Sequence, residues 1–260
     1  MKIAAIPLKI AWSDRDENLA KVEEYMRNLH SDTDIVVLPE LFSTGFIHDE
    51  EVMAAMAEPI GGETIGRLAE LAKAYNMAIA GSFLFNGVSG IFNRGFFIEP
   101  SGEETYYDKR HLFSLSTECE RYAAGKQMPP IVRFRGWNIA LTICYDLRFP
   151  VWCRNKNQAY DIMLVPANWP TVRSYAWERL LCARAIENQA IYVGANRGGH
   201  DDYGDYDYLT FIFDAMGTNI SNVDAATSVV YATIDKAQLD KVRTRLPFGN
   251  DADDYTINID

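Results

Sequence analysis

Three residues far apart in the chain, Glu40, Lys109 and Cys144, share one placement: each falls at the end of a run that reads as a strand. The clearest is Gly136 to Pro150, G-W-N-I-A-L-T-I-C-Y-D-L-R-F-P, where Asn138 to Ile143 has the composition of a buried parallel strand and stops at Cys144 before a charged turn. In open α/β sheets that edge is where ligands bind. Glu40 closes I-V-V-L-P-E, and Lys109 follows Thr105 to Asp108. Brought together, a thiol, a carboxylate and an ammonium suffice to cleave an amide. The carboxylate takes the thiol proton and passes it to the leaving amine, and the ammonium favours the thiolate and then stabilises the oxyanion. A thioester forms, and water hydrolyses it.

Each residue also has a plainer reading. A free cysteine is usually a small buried hydrophobe, a glutamate after a strand a solvated or capping residue, and a lysine a surface charge. Asp146 and Arg148, directly behind Cys144 in an otherwise apolar region, set this cysteine apart. The histidines, His30, His48, His111 and His200, lie in no local signature that would supply a Cys-His or Ser-His pair.

The elements that must position these groups alternate along the chain. Strands are expected at Lys2 to Pro7, Ile35 to Leu38, Met77 to Phe85, Asp161 to Pro166 and Ala190 to Asn196. Helices are expected at Asp16 to Leu29, after Gly61-Gly62-Glu63-Thr64 as far as about Tyr75, and at Pro150 to Ala159, Tyr175 to Asn188 and Lys236 to Arg245. Pro100-Ser101-Gly102-Glu103 turns a hairpin between Phe92 to Ile98 and Thr105 to Asp108, and Thr210 to Asp214 should pair with Val229 to Ile234. Leu112 to Gln127 reads as an irregular loop able to approach the site, and the acidic tail from Asn250 as solvated or packed on a partner. With no repeat, linker or low-complexity stretch, residues 1–260 read as one domain, a mixed-sheet α/β layer structure.

Composition narrows the partners. The net charge of −11, from 25 Lys+Arg against 36 Asp+Glu, lacks the basic stripe that nucleic acid requires. No apolar run approaches the roughly 18 residues of a spanning helix. Cys119, Cys144, Cys153 and Cys182 form no C-x-x-C pair, so reduced thiols, a cytoplasmic setting and no metal are expected.

V-V-L-P-E-L-F at Val36 to Phe42, Y-D-K-R-H-L-F at Tyr107 to Phe113 and I-C-Y-D-L-R-F-P at Ile143 to Pro150 together resemble the nitrilase, or carbon-nitrogen hydrolase, superfamily. The resemblance continues through V-P-A-N-W-P, R-A-I-E-N-Q and A-N-R up to Arg197. It implies an α-β-β-α sandwich that pairs with a second copy into a four-layer dimer, a small-molecule amide substrate and no cofactor. It also implies a triad of Glu40 as general base, Lys109 at the oxyanion and Cys144 as nucleophile. Glu118, seven residues before Gly125, matches the family's second glutamate better than Glu120, and the Tyr145 backbone N–H would be the other oxyanion donor.

N-W-P-T-V-R-S-Y-A-W at Asn168 to Trp177 and R-T-R-L-P-F-G-N-D-A-D-D-Y at Arg243 to Tyr255 resemble the ω-amidase branch, which cleaves the terminal amide of 2-oxoglutaramate or 2-oxosuccinamate. Such an anion needs a cationic anchor. Arg173 and Arg148 are the candidates, each with an alternative as an internal ion pair to Asp146 or Glu178. Tyr206 stands where many relatives carry a small serine, which bears on the pocket floor. Nitrile, N-carbamoyl or other amide hydrolysis would use the same residues, and a non-catalytic ligand-binding α/β protein is the alternative outside the enzymes.

Overall fold

A computed structural model describes residues 1–259. The first sheet runs in the order β13-β14-β1-β2-β3-β4-β5, built from β1 (Lys2–Ala5), β2 (Ile35–Val37), β3 (Ala78–Gly87), β4 (Gly90–Ile98), β5 (Glu104–Asp108), β13 (Asn222–Val223) and β14 (Val230–Thr233). The second runs β12-β9-β8-β7-β6, from β6 (Ile131–Phe134), β7 (Trp137–Leu141), β8 (Ile162–Ala167), β9 (Ile191–Asn196) and β12 (Phe211–Phe213). A separate hairpin pairs β10 (Gly198–Asp201) with β11 (Gly204–Asp207).

Alternation along the strands decides which face meets which layer. Ile3, Ala5, Ile35, Val37, Ala78 and Ala80 point to a core shared with Ile139, Leu141, Ile162 and Leu164 of the second sheet. Ala4, Val36 and Ile79, one residue out of step, point the other way and meet α1 (Arg15–Asn28) and α3 (Glu63–Tyr75) through Leu19, Val22, Met26, Ile65 and Leu68. The shorter helices α2 (Glu50–Met56) and α4 (Glu118–Arg121) lie in the connections between strands. On the far side α5 (Ser174–Asn188) covers the second sheet with Trp177, Leu181 and Ala185. The layers therefore stack helix, sheet, sheet, helix. Among the described residues no helix is long and apolar enough to cross a membrane.

Four expectations from the residue patterns are corrected, the last of them in part. The strands divide between two sheets instead of one, because central strands that are apolar on both faces carry no mark of their sheet. Thr210 to Asp214 and Val229 to Ile234 do not pair with each other: β12 lies against β9 and β14 against β1 and β13. Pro150 to Ala159 forms turns and one 3-10 turn at Lys156–Gln158, not a helix. There Asn155 accepts from the Tyr160 N–H (3.0 Å) and donates to the Tyr160 and Asn188 carbonyls (2.8 and 3.1 Å), so its side chain takes over bonds a helix would make. The acidic tail is solvated at 250–254, as one of its two expected readings has it, but the residues after it pack on their own chain and not on a partner: Ile257 and Ile259 touch the core, and Lys156 pairs with Asp254 and donates to the Tyr255 carbonyl.

Gly125 ties the loop after β5 to the strand end. Its N–H donates to the Lys109 carbonyl (2.8 Å), and a Cβ there would lie 2.0 Å from the Asp108 carbonyl oxygen. Gly125→Ala is expected to lower stability in urea denaturation by about 1–3 kcal/mol, the scale of overpacking against backbone. Gly66→Ala, in α3 with nothing within 4 Å of its Cβ, serves as control and is expected to leave stability unchanged or raise it by up to about 1 kcal/mol. Equal effects would contradict the close approach.

Candidate active site

Each reactive side chain stands just past a strand end, Glu40 and Lys109 in the first sheet and Cys144 in the second. Beyond β2 the chain turns sharply, with Leu41 at φ +47° and its N–H on Ser82 Oγ (2.8 Å), which leaves the Glu40 carboxylate facing inward. Lys109 continues β5, its N–H donating to the Asn93 carbonyl of β4 (3.0 Å). Thr142 extends the pairing of β7 with β8 through its N–H to the Leu164 carbonyl (3.0 Å), and Cys144 follows at the head of a 3-10 turn, Cys144–Arg148. Cys144 has φ +44°, the left-handed region that costs an L-residue about 1–2 kcal/mol.

Lys109 sits between two carboxylates. Its Nζ donates to Glu40 Oε1 (2.8 Å) and Glu118 Oε1 (2.7 Å), with Glu40 and Lys109 each 2% exposed and Glu118 1%. Charges this buried persist only when paired and hydrogen-bonded, and here their other positions are filled too. Glu40 also accepts from Asn93 Nδ2 and from the Asn168 N–H, both at 2.8 Å. The Phe113 N–H donates to Glu118 Oε2 (2.6 Å). An ammonium has three donors, so one remains for a ligand.

The electrostatics follow from this arrangement. Burial alone pulls the Lys109 ammonium down, but Glu118 and Glu40 outweigh it and hold its pKa well above the ordinary lysine value. Burial pushes Glu118 up, and the attraction of Lys109 offsets this only in part because Glu40 repels. Burial and then Glu40 push the Cys144 thiol well above its usual range, against the pull of Lys109. The resting sulfur thus holds its proton beside a carboxylate able to take it.

All seven residues singled out in the sequence, Glu40, Lys109, Glu118, Cys144, Tyr145, Arg148 and Arg173, line one pocket of about 70 Å3. Tyr145 is the second residue of the 3-10 turn, where amide N–H groups lack intrahelical acceptors. Neither arginine forms an ion pair among the described residues. Glu178 pairs with Arg179 (3.9 Å), and Asp146 is occupied elsewhere. Instead the Arg148 guanidinium lies over Trp169 (4.7 Å) and that of Arg173 over Phe113 (5.1 Å). Tyr206 also lines the pocket, buried under Arg197 (4.5 Å to the ring), its hydroxyl donating to Asp201 Oδ1 (3.1 Å). Among the described residues no cluster of acidic, histidine or cysteine side chains could hold a metal.

The residue patterns missed Asn93 and Asn168, which hold Glu40, and the aromatic walls Phe46 and Tyr203. An asparagine beside Arg94 inside the otherwise apolar strand F-N-R-G-F-F was the available signal for Asn93, and the polar residue directly after V-P-A for Asn168.

A two-sheet sandwich with a buried Glu-Lys-Glu cluster beside a cysteine at a strand end is the arrangement of an amide-type hydrolase. The chain belongs to the carbon-nitrogen hydrolase family, whose model matches residues 2–244. An Escherichia coli K12 protein named Omega-amidase YafV is 38% identical over 259 residues, covering 99% of this chain and 98% of that protein. A Bacillus subtilis 2-oxoglutaramate amidase is 29% identical over 252 residues, 96% of each. The crystal structure of a CN-hydrolase superfamily protein from Xanthomonas campestris superimposes with a TM-score of 0.93 at 35% identity over 99% of both chains.

Removing Lys109 leaves two buried carboxylates facing each other. A carboxyl whose pKa is raised in the folded state binds its proton more tightly there, so folded stability falls as pH rises through the carboxylate range. Glu118 is already raised, and loss of the ammonium raises it further. Lys109→Met is expected to lose about 3–5 kcal/mol at neutral pH in urea denaturation, with the deficit shrinking as pH falls toward about 4. A deficit constant with pH would show that the carboxylates are not the cause.

Proposed function

We propose that the protein hydrolyses the terminal amide of a small 2-oxo dicarboxylic acid monoamide, such as 2-oxoglutaramate or 2-oxosuccinamate, to the acid and ammonia. One observation carries this: a Glu-Lys-Glu cluster beside Cys144 shares its pocket with two arginines that no carboxylate neutralises. The E. coli and B. subtilis relatives support the same substrate class.

Glu40 is the general base and Cys144 the nucleophile. As Sγ attacks the amide carbon, its proton passes to Glu40, and the carbonyl oxygen, now negative, is received by the third N–H of Lys109 and the Tyr145 N–H. Collapse of the intermediate breaks the C–N bond, and Glu40 delivers its proton to the departing nitrogen. Ammonia leaves and the acyl group remains as a thioester. Water, deprotonated by Glu40, attacks the thioester carbon, sulfur leaves with the proton returned to it, and the acid is released. Glu118, fixed by the Phe113 N–H, orients Lys109 and the substrate. Arg148 and Arg173 anchor the distal carboxylate. The homodimer implied by the family resemblance is part of this proposal, with the exposed Tyr175 and Ile186 of α5 as apolar surface, and so is a cytoplasmic setting in which the four free cysteines stay reduced.

Ammonia release from 2-oxoglutaramate, glutamine, asparagine, a simple nitrile and an N-carbamoyl amino acid tests the substrate. The wild type is expected to prefer the 2-oxo amide, and Cys144→Ala to be inactive on all of them. Arg148→Gln or Arg173→Gln is expected to raise KM for the 2-oxo amide about 10-fold or more, the scale of a lost hydrogen bond between charged groups. Preference for another compound in the panel would move the substrate while keeping the chemistry, and an active Cys144→Ala would refute the nucleophile.

A further inference from the structure

Asp146 is fully buried two residues past Cys144, yet the steps above leave it unused. No lysine or arginine pairs with it among the described residues, and its side chain meets two titratable groups, His111 and the Tyr107 hydroxyl. Its two oxygens accept four hydrogen bonds. Oδ2 takes the Ile143 N–H (3.1 Å) and the Tyr107 hydroxyl (2.8 Å). Oδ1 takes the His111 N–H (2.9 Å) and the His111 ring Nδ1 (2.7 Å), which must carry its proton to face a carboxylate. A carboxylate offers about four lone-pair sites, and all are spent.

The donors come from two places only. Ile143 immediately precedes the nucleophile; Tyr107 and His111 lie two residues before and two after Lys109. Both donors are themselves held: Tyr107 Oη accepts from Trp152 Nε1 (2.9 Å) and from the Arg110 N–H (3.3 Å), and the His111 ring stacks on Phe149 at 3.7 Å. We propose that Asp146 is a positioning residue that clamps the chain around Lys109 to the turn carrying Cys144, and so sets the spacing between the thiol and the ammonium. The proposal rests on the catalytic roles given above to those two residues. A left-handed nucleophile persists only where its surroundings over-determine it, and the Asp146 N–H closes the same turn on the Ile143 carbonyl (3.0 Å). The oxyanion must fall within reach of Lys109 and the Tyr145 N–H together, and a misplacement of about 1 Å costs on the order of 100-fold in rate.

Asp146→Asn keeps the shape but turns one oxygen into a donor facing two donors. On the primary amide that wild type hydrolyses fastest, kcat is expected to fall about 100-fold. KM and the inhibition constant of the product acid are expected to change far less, by no more than about threefold, because Arg173 stands on a separate turn, Thr171–Arg173, and still anchors the acid. Tyr107→Phe removes the hydroxyl's bond to Asp146 together with the two it accepts from Trp152 Nε1 and the Arg110 N–H, and is expected to show the same split at about 10-fold; it decides the matter should Asp146→Asn not fold. His111→Asn, whose amide N–H can stand in for the ring Nδ1–H, is expected to retain more kcat than His111→Ala. Wild-type kcat in Asp146→Asn or Tyr107→Phe, or a product-acid constant that weakens in step with kcat, overturns the clamp. An active Cys144→Ala would instead remove the catalytic roles on which it rests, so the two failures are told apart.

Discussion

The structure depends on one buried ammonium. Lys109 holds Glu40 and Glu118 together at 2.8 and 2.7 Å with no solvent to share the charge. Each ion left water at a cost of several kcal/mol, and the pair attractions offset this only because the remaining acceptor sites are also filled. That requirement reaches far into the chain. Asn93 of β4 serves twice, its carbonyl receiving the Lys109 N–H and its amide donating to Glu40. The Asn168 N–H beyond β8 binds the other oxygen of Glu40, so the two sheets meet at one carboxylate. Charge and layer packing are therefore the same constraint seen from two sides.

The nucleophile is placed by the backbone of its turn and by hydrogen bonds to Asp146, not by an ion pair of its own. Leu41 and Cys144 both adopt positive φ directly beyond a strand end, and in each case the turn redirects a side chain from the sheet plane into the pocket. Neither residue is a glycine, so both turns hold conformational strain that the surrounding core must outweigh. The flanking strands do so by being buried on both faces, which leaves them little freedom to relax.

This division explains what could be read from sequence. Glu40 and Cys144 were visible because apolar runs end at them, and Lys109 because it closes the second strand of a hairpin; a strand end is a local signal. Glu118 was reachable only through its spacing to Gly125, and the structure supplies the steric cause: no Cβ fits against the Asp108 carbonyl. The two-layer division of the strands followed from family resemblance, not from the residue pattern, because Ile35–Val37 and Ile162–Ala167 are apolar on both faces. Where side chains replace backbone partners, local pattern fails outright. Asn155 undoes the expected helix after Pro150, and Asn93 stands out in its strand as a polar residue without pointing to a glutamate 53 residues away.

The arginines show how a chain of net charge −11 can still receive an anion. An arginine paired with Asp146 would have been neutralised, and the sequence left that open. Instead Asp146 is saturated by Ile143, Tyr107 and His111, while Trp169 and Phe113 hold Arg148 and Arg173 by their ring faces. An aromatic face orients a guanidinium without consuming its charge or its in-plane N–H donors. The two glutamates, by contrast, are bound to Lys109 on the side of the pocket that holds Cys144. Saturating the acids and leaving the bases open gives this small pocket a positive side and a reactive side, and an acid carrying an amide at its far end is the shape that meets both.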